Sequence, residues 1–458
     1  MRLVHTSDWH LGKPLCDKTR YDEFEAFLHW LSAYLIKEDI DCLVIAGDIF
    51  DTTTPSHQAL SLYFQFLHRI ASKTSISVVI IGGNHDSASL LNAPDSFLRE
   101  FQIHVIGAAL ESHANEVIPI YQNGRDGELC GLICAVPYLR ERDLAALNPC
   151  EEGKAREERV KQQLYSHYQE TYAHAVELRQ QYSKCSTSLP ILPIIGLGHL
   201  FTMGGVTGDG VRSLYLGDIC HIGAEQLPPF DYLALGHLHR YQIVSGDKTK
   251  QYSGSPIPMG FSEAMHRQYI LDVTVTGEML HVEAVETPRT VDIVRITGDI
   301  DQIQNQIFFH KTQAKKTLAE VIYTGSTVQP GLSKMVRDWV DESQVSVIRI
   351  ADASMYQRYG ALPSSLYEGE KNTLSDIKSR LEVLNEEYVF SAILDKKGVE
   401  SERREALFDV YRQLCTAVHE HDSLAGTSTH TKTHTIPTIP TKIDTKIDTK
   451  KRGEGGSA

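Results

Sequence analysis

The chain has 458 residues, 41% hydrophobic and 23% charged, enough for two or three domains with substantial cores. Its longest apolar stretch, Leu189–Phe201, is short and interrupted by prolines and His199, and Arg2 already enters a strand-like run, so neither a membrane span nor a secretory leader is expected. With 45 Lys and Arg against 59 Asp and Glu the net charge is −14, which excludes a uniformly basic nucleic-acid binder, and eight scattered cysteines exclude a disulfide scaffold and point to a reduced, cytoplasmic setting.

Taken in chain order, Arg2–Thr6, Cys42–Ala46, Val78–Ile81, Ile191–Ile195 and Tyr232–Leu235 read as strands. Between them, Tyr21–Lys37 is predicted as an amphipathic helix with Phe24, Phe27, Leu28, Leu31 and Leu35 on one side, and Leu60–Ser72 as another. Cys130 and Cys134 are expected on one strand face, buried rather than paired. Glu151–Tyr182 predicts a long charged helix whose Tyr165, Tyr168 and Tyr172 have the spacing of a packing stripe, more than of a base-stacking platform. The glycine-rich Met203–Gly210 segment either approaches a nucleic-acid backbone or simply turns the chain.

Residues 1–275 thus form an alternating α/β domain, and 276–365 a small α+β unit. In the latter, Thr290–Ile296, Leu318–Tyr323 and Val345–Ile350 suit strands, Leu332–Val340 a helix and Gly325–Gly331 a loop. Residues 366–421 carry two helical stripes, Leu374, Ile377, Leu381, Leu384 and Tyr388, then Leu407, Val410, Leu414 and Val418, either packed on the core or offered to a partner helix. Residues 422–458 repeat Thr-Lys-Ile-Asp, lack aromatics, and are expected to be disordered.

The chemistry sits at the ends of the five strand-like runs: Asp8-Trp9-His10, Gly47-Asp48, Gly83-Asn84-His85-Asp86, Gly198-His199 and Gly236-His237-Leu238-His239. Each fragment alone has an ordinary reading. Gly-Asp also occurs at Gly208, Gly217, Gly246 and Gly298, where it reads as a turn; Asp8 alone suits a helix cap and His199 a core histidine. Five such clusters in sequence, each after a strand, are what a two-metal hydrolytic site requires. Two divalent ions neutralise phosphate oxygens and activate water, and mixed Asp, His and Asn donors suit manganese, iron or zinc better than calcium. The glycines preceding Asp48, Asn84, His199 and His237 are expected to turn the backbone out of the sheet.

In this order D-x-H, G-D, G-N-H-D, G-H and G-H-x-H resemble the signature of the calcineurin-like metallophosphoesterases. The longer strings His5-Thr-Ser-Asp-Trp-His-Leu-Gly12, Gly47-Asp-Ile-Phe-Asp-Thr52, Leu235-Gly-His-Leu-His-Arg240 and Tyr252-Ser-Gly-Ser-Pro-Ile-Pro258 narrow the resemblance to the SbcD family of nuclease subunits. That resemblance implies a metallophosphoesterase β-sandwich flanked by helices, a capping unit at 276–365 that shapes a DNA groove, and C-terminal helices that bind an SbcC-type ATPase. It implies two divalent ions, with manganese the expected species: Asp8, His10, Asp48 and His239 around one, and Asp48, Asn84, His199 and His237 around the other. His85 would face the scissile phosphate and Asp86 would orient His85. Asp51 would either help the site or cap the following helix.

The implied activity is ATP-dependent 3′-to-5′ exonuclease action on duplex ends and endonuclease action on hairpins, in recombination, replication and double-strand-break processing, by a homodimer. The chain has no G-x-x-x-x-G-K-[ST] motif, so ATP use falls to the partner. Two other readings stay open: a stand-alone phosphatase or small-molecule phosphodiesterase, and a DNA-end scaffold in which cleavage is incidental.

Overall fold

The computed structural model describes residues 1–353 except 123, 125–126, 141–142, 145–153, 186–190, 203–221, 278, 328 and 342. The expectations for 366–421, 422–458, the Met203–Gly210 segment and the Gly-Asp pairs at 208 and 217 fall outside the described residues.

The first half contains β1 (Arg2–Thr6), α1 (Tyr21–Lys37), β2 (Cys42–Ala46), α2 (His57–Lys73), β3 (Ser77–Ile81), the short α3 (Ala88–Asn92) and α4 (Asp95–Leu98), and β4 (Ile103–Ile106). These four strands are parallel neighbours in chain order. They are continuous runs of Val, Ile and Leu because both faces are covered. Leu43, Ile45, Val78 and Ile80 pack under α1 and α2, while Cys42, Val44, Val79 and Ile81 face a second sheet.

The second sheet takes β5 (Val117–Tyr121), β6 (Leu129–Ala135), β7 (Ile194–His199), β8 (Tyr232–Gly236), β9 (Gln242–Val244) and β10 (Asp247–Tyr252), in the order β5-β6-β7-β8-β10-β9. The long helix α5 (Lys154–Cys185) covers its outer face. The chain then returns to the first sheet: β11 (Tyr269–Thr276) pairs antiparallel with β1, and β12 (Met279–Glu286) adds outside it. The result is the expected α/β sandwich of two sheets with helices outside.

The second unit alternates β13 (Asp292–Gly298), α6 (Ile300–Lys311), β14 (Thr317–Tyr323), α7 (Leu332–Val340) and β15 (Val345–Asp352), with three parallel strands around a core of Ile296, Ile303, Ile307, Val321 and Val336. Arg295 and Arg349 neutralise the fully buried Glu320 at 2.7 and 3.0 Å.

The predicted tyrosine stripe is packing. Tyr168 is buried, Tyr165 accepts from Gly223 N–H, and Tyr172 donates to the Pro229 carbonyl. Four expectations need correction. The strand read at Ile191–Ile195 begins at Ile194 and runs through two glycines to His199, because Gly196 and Gly198 lie too close to Phe230, Leu233 and Tyr168 to carry side chains. Cys130 and Cys134 do not share a face: a register shift lies opposite Cys130, leaving Cys134 under α5 and Cys130 beside the inter-sheet core. Gly298-Asp299 is a helix start rather than a turn. Asp299 and Gln302 form a reciprocal capping box for α6, a helix that the sequence reading did not place. Finally, Asp51 does not cap α2. Ser56 does, accepting from Ala59 N–H.

The two sheets come into tight contact where their parallel strands end. A Cβ on Gly236 would sit 1.9 Å from the Ala46 carbonyl oxygen and 2.9 Å from His199 Nδ1. Gly236→Ala is therefore expected to cost about 3 kcal/mol or more. Urea denaturation of the variant measures this, and a change within about 0.5 kcal/mol would contradict the close approach.

Candidate metal centre

Register aligns the strand ends. Thr6 pairs with Ile45, Ala46 with Ile81, and His199 with Gly236. The loops that follow therefore converge on one place. Trp9 is the anchor of the first loop: its ring is buried edge-on against Phe27 and Phe66, and its Nε1–H donates to Thr6 Oγ1 at 3.0 Å. With Trp9 fixed in the helix-side core, Asp8 and His10 remain on the side of the site. The loop also continues pairing with the loop after β2, Asp8 N–H to the Gly47 carbonyl and His10 N–H to the Asp48 carbonyl, both at 3.0 Å.

The turn out of the sheets is borne by the functional residues themselves. Asp8, His10 and Asp48 have φ near +50°, and His237 has φ 104°. Left-handed backbone at non-glycine residues costs about 1–3 kcal/mol each and persists only where the surroundings over-determine it. Of the four glycines expected to turn the chain, Gly47 alone is left-handed. Gly83, Gly198 and Gly236 serve closeness instead: a Cβ on Gly83 would lie 2.2 Å from Asp48 Oδ1.

Two triads result. Donor atoms of Asp8, His10 and His239 lie within 4.8 Å of one another, as do those of Asp48, His199 and His237. Asp48 Oδ2 stands between them, 3.5 Å from His10 Nε2 and 3.4 Å from His199 Nε2. Asn84 Oδ1 completes the second group, 2.9 Å from His199 Nε2 and 3.2 Å from His237 Nδ1. His10 Nε2 and His239 Nε2 face each other at 3.1 Å. All seven expected metal residues are thus together, with His85 beside them, its ring edge-on to His10 at 4.8 Å.

The donor set fits divalent ions because His199 and His239 are each oriented from behind through Nδ1. His199 Nδ1–H donates to the Ala46 carbonyl at 2.9 Å, and His239 Nδ1 contacts Glu263 Oε1 at 3.0 Å, which leaves each Nε2 aimed at the site. Asp51 Oδ1 accepts from Lys13 at 2.8 Å and lies 3.5 Å from His10 Nδ1. Asp8 accepts from His237 N–H and from Ser7, whose hydroxyl is 2.9 Å from that of Ser253.

Asp86 departs from expectation. Its carboxylate does not reach His85. It accepts from the backbone N–H of Ile49, Phe50 and Gly83 at 2.9 to 3.1 Å, tying the loop after β2 to the loop after β3. His85 is held instead by the Asp51 carbonyl, 2.7 Å from Nδ1, and its own N–H donates to Asp48 Oδ1. The physical reason is direction: three converging N–H groups capture the Asp86 carboxylate more effectively than one imidazole.

Without ions the protons divide unevenly. Burial lowers His10 and His237, and the His199 charge lowers His237 further. Burial also opposes charge on His199, yet the Asp48 carboxylate outweighs it and raises His199 to about 9. Asp48 is held well below the carboxylate range against its burial, chiefly by His199. Burial and the Asp48 charge raise Asp86 to about 6.

Sequence reasoning missed Ser7, Lys13, Ser253 and Glu263. Ser7 and Ser253 sit within strings already singled out. Glu263 carries no local signal, because its partner His239 is 24 residues away.

This arrangement defines a class. Residues 1–241 match the calcineurin-like phosphoesterase family, whose members are metal-dependent hydrolases of phosphate esters. Residues 289–397 match the type 5 capsule protein repressor C-terminal domain. The chain is 31% identical to the SbcD subunit of the SbcCD nuclease of Escherichia coli K12 over 92% of its own length and 100% of that protein. It is 33% identical to the same subunit from Rhodobacter capsulatus over 65% of the chain and 71% of the relative, and 32% identical to that of Bacillus subtilis over 58% and 63%. The chain belongs to the SbcD family of metal-dependent nucleases.

Asp86→Ala leaves three buried N–H donors without an acceptor and is expected to lower stability by on the order of 3 kcal/mol or more. Chemical denaturation checks it. Unchanged stability with lost catalysis would return Asp86 to the role of aligning His85.

Proposed function

We propose that this chain is the nuclease component of an ATP-dependent DNA-processing complex that cleaves DNA phosphodiesters at duplex ends and hairpins. The observation that carries this reading is the pair of donor triads, Asp8, His10 and His239 and Asp48, His199 and His237, with Asp48 Oδ2 also 3.5 Å from His10 Nε2. Asp8, His10, Asp48 and His239 would hold one ion and Asp48, Asn84, His199 and His237 the other, and the mixed oxygen and nitrogen donors favour manganese. Bound there, two divalent ions supply charge neutralisation at the phosphate oxygens and activation of water. With its Nδ1 given to the Asp51 carbonyl, His85 keeps Nε2 as the nitrogen that passes a proton to the leaving oxygen. Asp86 keeps the loop of His85 in register with that of Asp48.

The names of the relatives, together with the helical stripes of 366–421, support an SbcC-type ATPase as partner. For the homodimer, Phe64 on α2 and Phe97 and Phe101 at α4 and just beyond it, 41%, 65% and 43% exposed, are the apolar groups a second copy would cover. No helix among the described residues is long and apolar enough to cross a membrane, which fits a cytoplasmic enzyme. A stand-alone phosphatase on small esters is disfavoured by the second unit packed against the site loops through Leu15, Phe261, Ala264, Val291, Ile293 and Leu318.

The test compares cleavage of a hairpin-ended duplex, p-nitrophenyl phosphate and a cyclic nucleotide under manganese. Asp48→Ala is expected to lose activity and to lower metal content at both positions. His85→Ala should keep its metal and lose about 10²–10⁴-fold in rate on the duplex. Full activity on small esters with none on DNA would sink the nuclease reading.

Loading should also depend on pH. His199 is protonated below about pH 9 without ions, and its Nε2 must be free to ligate. Manganese addition at pH 7 is therefore expected to release at least one proton, a release that disappears well above pH 9. Calorimetry in buffers of different ionisation enthalpy measures it; binding with no proton release at pH 7 would show that Asp48 does not hold His199 protonated without ions.

A further inference from the structure

Beyond its ligands, the site is connected by polar contacts to Arg289, and from there through the apolar cluster around Val291 to the second unit. We propose that Glu263 is the positioning residue for His239, and that Arg289, on the segment leading into the capping unit, holds the loop of Glu263 in place. The proposal rests on the reading of His239 as a metal ligand.

Glu263 is 6% exposed, and both its oxygens are committed: Oε1 to His239 Nδ1 at 3.0 Å and Oε2 to Met259 N–H at 2.8 Å. The backbone of His239 is fixed separately, its carbonyl accepting from Ser255 N–H and Oγ. What Glu263 adds is the rotation of the ring and the choice of tautomer. A proton kept on Nδ1 leaves the Nε2 lone pair facing His10 Nε2. A carboxylate behind a ligating imidazole also raises its basicity, and loss of such a partner typically weakens metal binding about 10–100-fold.

Glu263 lies in a loop without regular structure, so something must keep it still. Gln268 Nε2 donates to the Glu263 and His266 carbonyls at 3.2 and 2.8 Å. Arg289 then grips three acceptors of the same loop: Nη1 donates to the Ala264 carbonyl at 2.9 Å, and Nη2 to the His266 carbonyl and to Gln268 Oε1, both at 2.7 Å. Thr287 adds Oγ1 to the Pro256 carbonyl at 2.6 Å. Two residues beyond Arg289, Val291 enters the apolar cluster that joins Phe261 and Ala264 to Ile293 and Leu318 of the capping unit. Displacing that unit pulls on Arg289, and Arg289 acts on the backbone on either side of Glu263. The planar fork of Arg289 makes this a stiff link that a lysine ammonium does not reproduce.

The experiment titrates manganese into the full chain and resolves the two binding events by calorimetry, comparing wild type with H239A, E263A, E263Q, R289K and R267Q. Arg267 is the control, exposed on the same loop and paired at the surface with Glu286. H239A should lose one event. E263A should weaken that same event by about 10–100-fold and leave the other unchanged. E263Q, whose amide cannot accept both N–H groups, and R289K should weaken it less, and R267Q not at all. Loss in H239A with wild-type affinity in E263A would overturn the role of Glu263 while keeping His239 as a ligand. Two intact events in H239A would overturn the ligand reading itself. Wild-type affinity in R289K would remove the link to the capping unit. Should E263A fail to fold, wild-type affinity in both E263Q and R289K overturns the proposal.

Discussion

The close approach of two sheets at the ends of their parallel strands is the constraint on which everything else rests. It places Gly236, at the end of a second-sheet strand, against the Ala46 carbonyl of the first sheet, with no room for a Cβ. Only at that separation can donors from the first sheet, Asp8, His10, Asp48 and Asn84, reach donors from the second, His199, His237 and His239. The apolar strands between them supply the force that keeps the sheets together, and the strained backbone at Asp8, His10, Asp48 and His237 is the local cost of directing side chains across the gap.

Much of this was legible in the sequence because the site lies at strand ends. A buried parallel strand announces itself as an unbroken apolar run, and the first polar residues after it mark its carboxyl end. Asp8, His10, Asp48, Asn84, His199, His237, His239 and His85, which the fold brings together, all stand at such strand ends, and α1, α2 and α7 followed from their periodicity. What escaped was long-range or directional. Glu263 is linked to His239 by space and not by spacing. Asp86 sits beside His85 in the chain, yet its carboxylate turns to three backbone amides. Helix α6 was hidden because Gly298-Asp299 looks like a turn until Gln302 is seen as the other half of a capping box. The register shift near Cys130 reverses one residue's face, and strand alternation cannot foresee that.

The acidic balance of the chain also takes on a different meaning. Asp8, Asp48, Asp86 and Glu263 are buried at the centre, and Asp51 is partly buried beside them. Their charge is met inside the fold by histidines and backbone amides. Part of the net −14 is therefore internal to the fold, and the surface is less acidic than the total suggests.

The order of strands carries a consequence for synthesis. β1 lies in the middle of its sheet, with β2 on one side and β11, made some 260 residues later, on the other. As the chain leaves the ribosome, the parallel strands β1 to β4 can associate early, but one edge of β1 stays unpaired until residue 276 has emerged. Through that interval Asp8 and His10 wait on a half-built sheet while His237 and His239 are still to come. A nascent chain of this kind has a long window in which an exposed strand edge can find the wrong partner, and the clustered Asp, Asn and His side chains come together only after residue 239 has been translated.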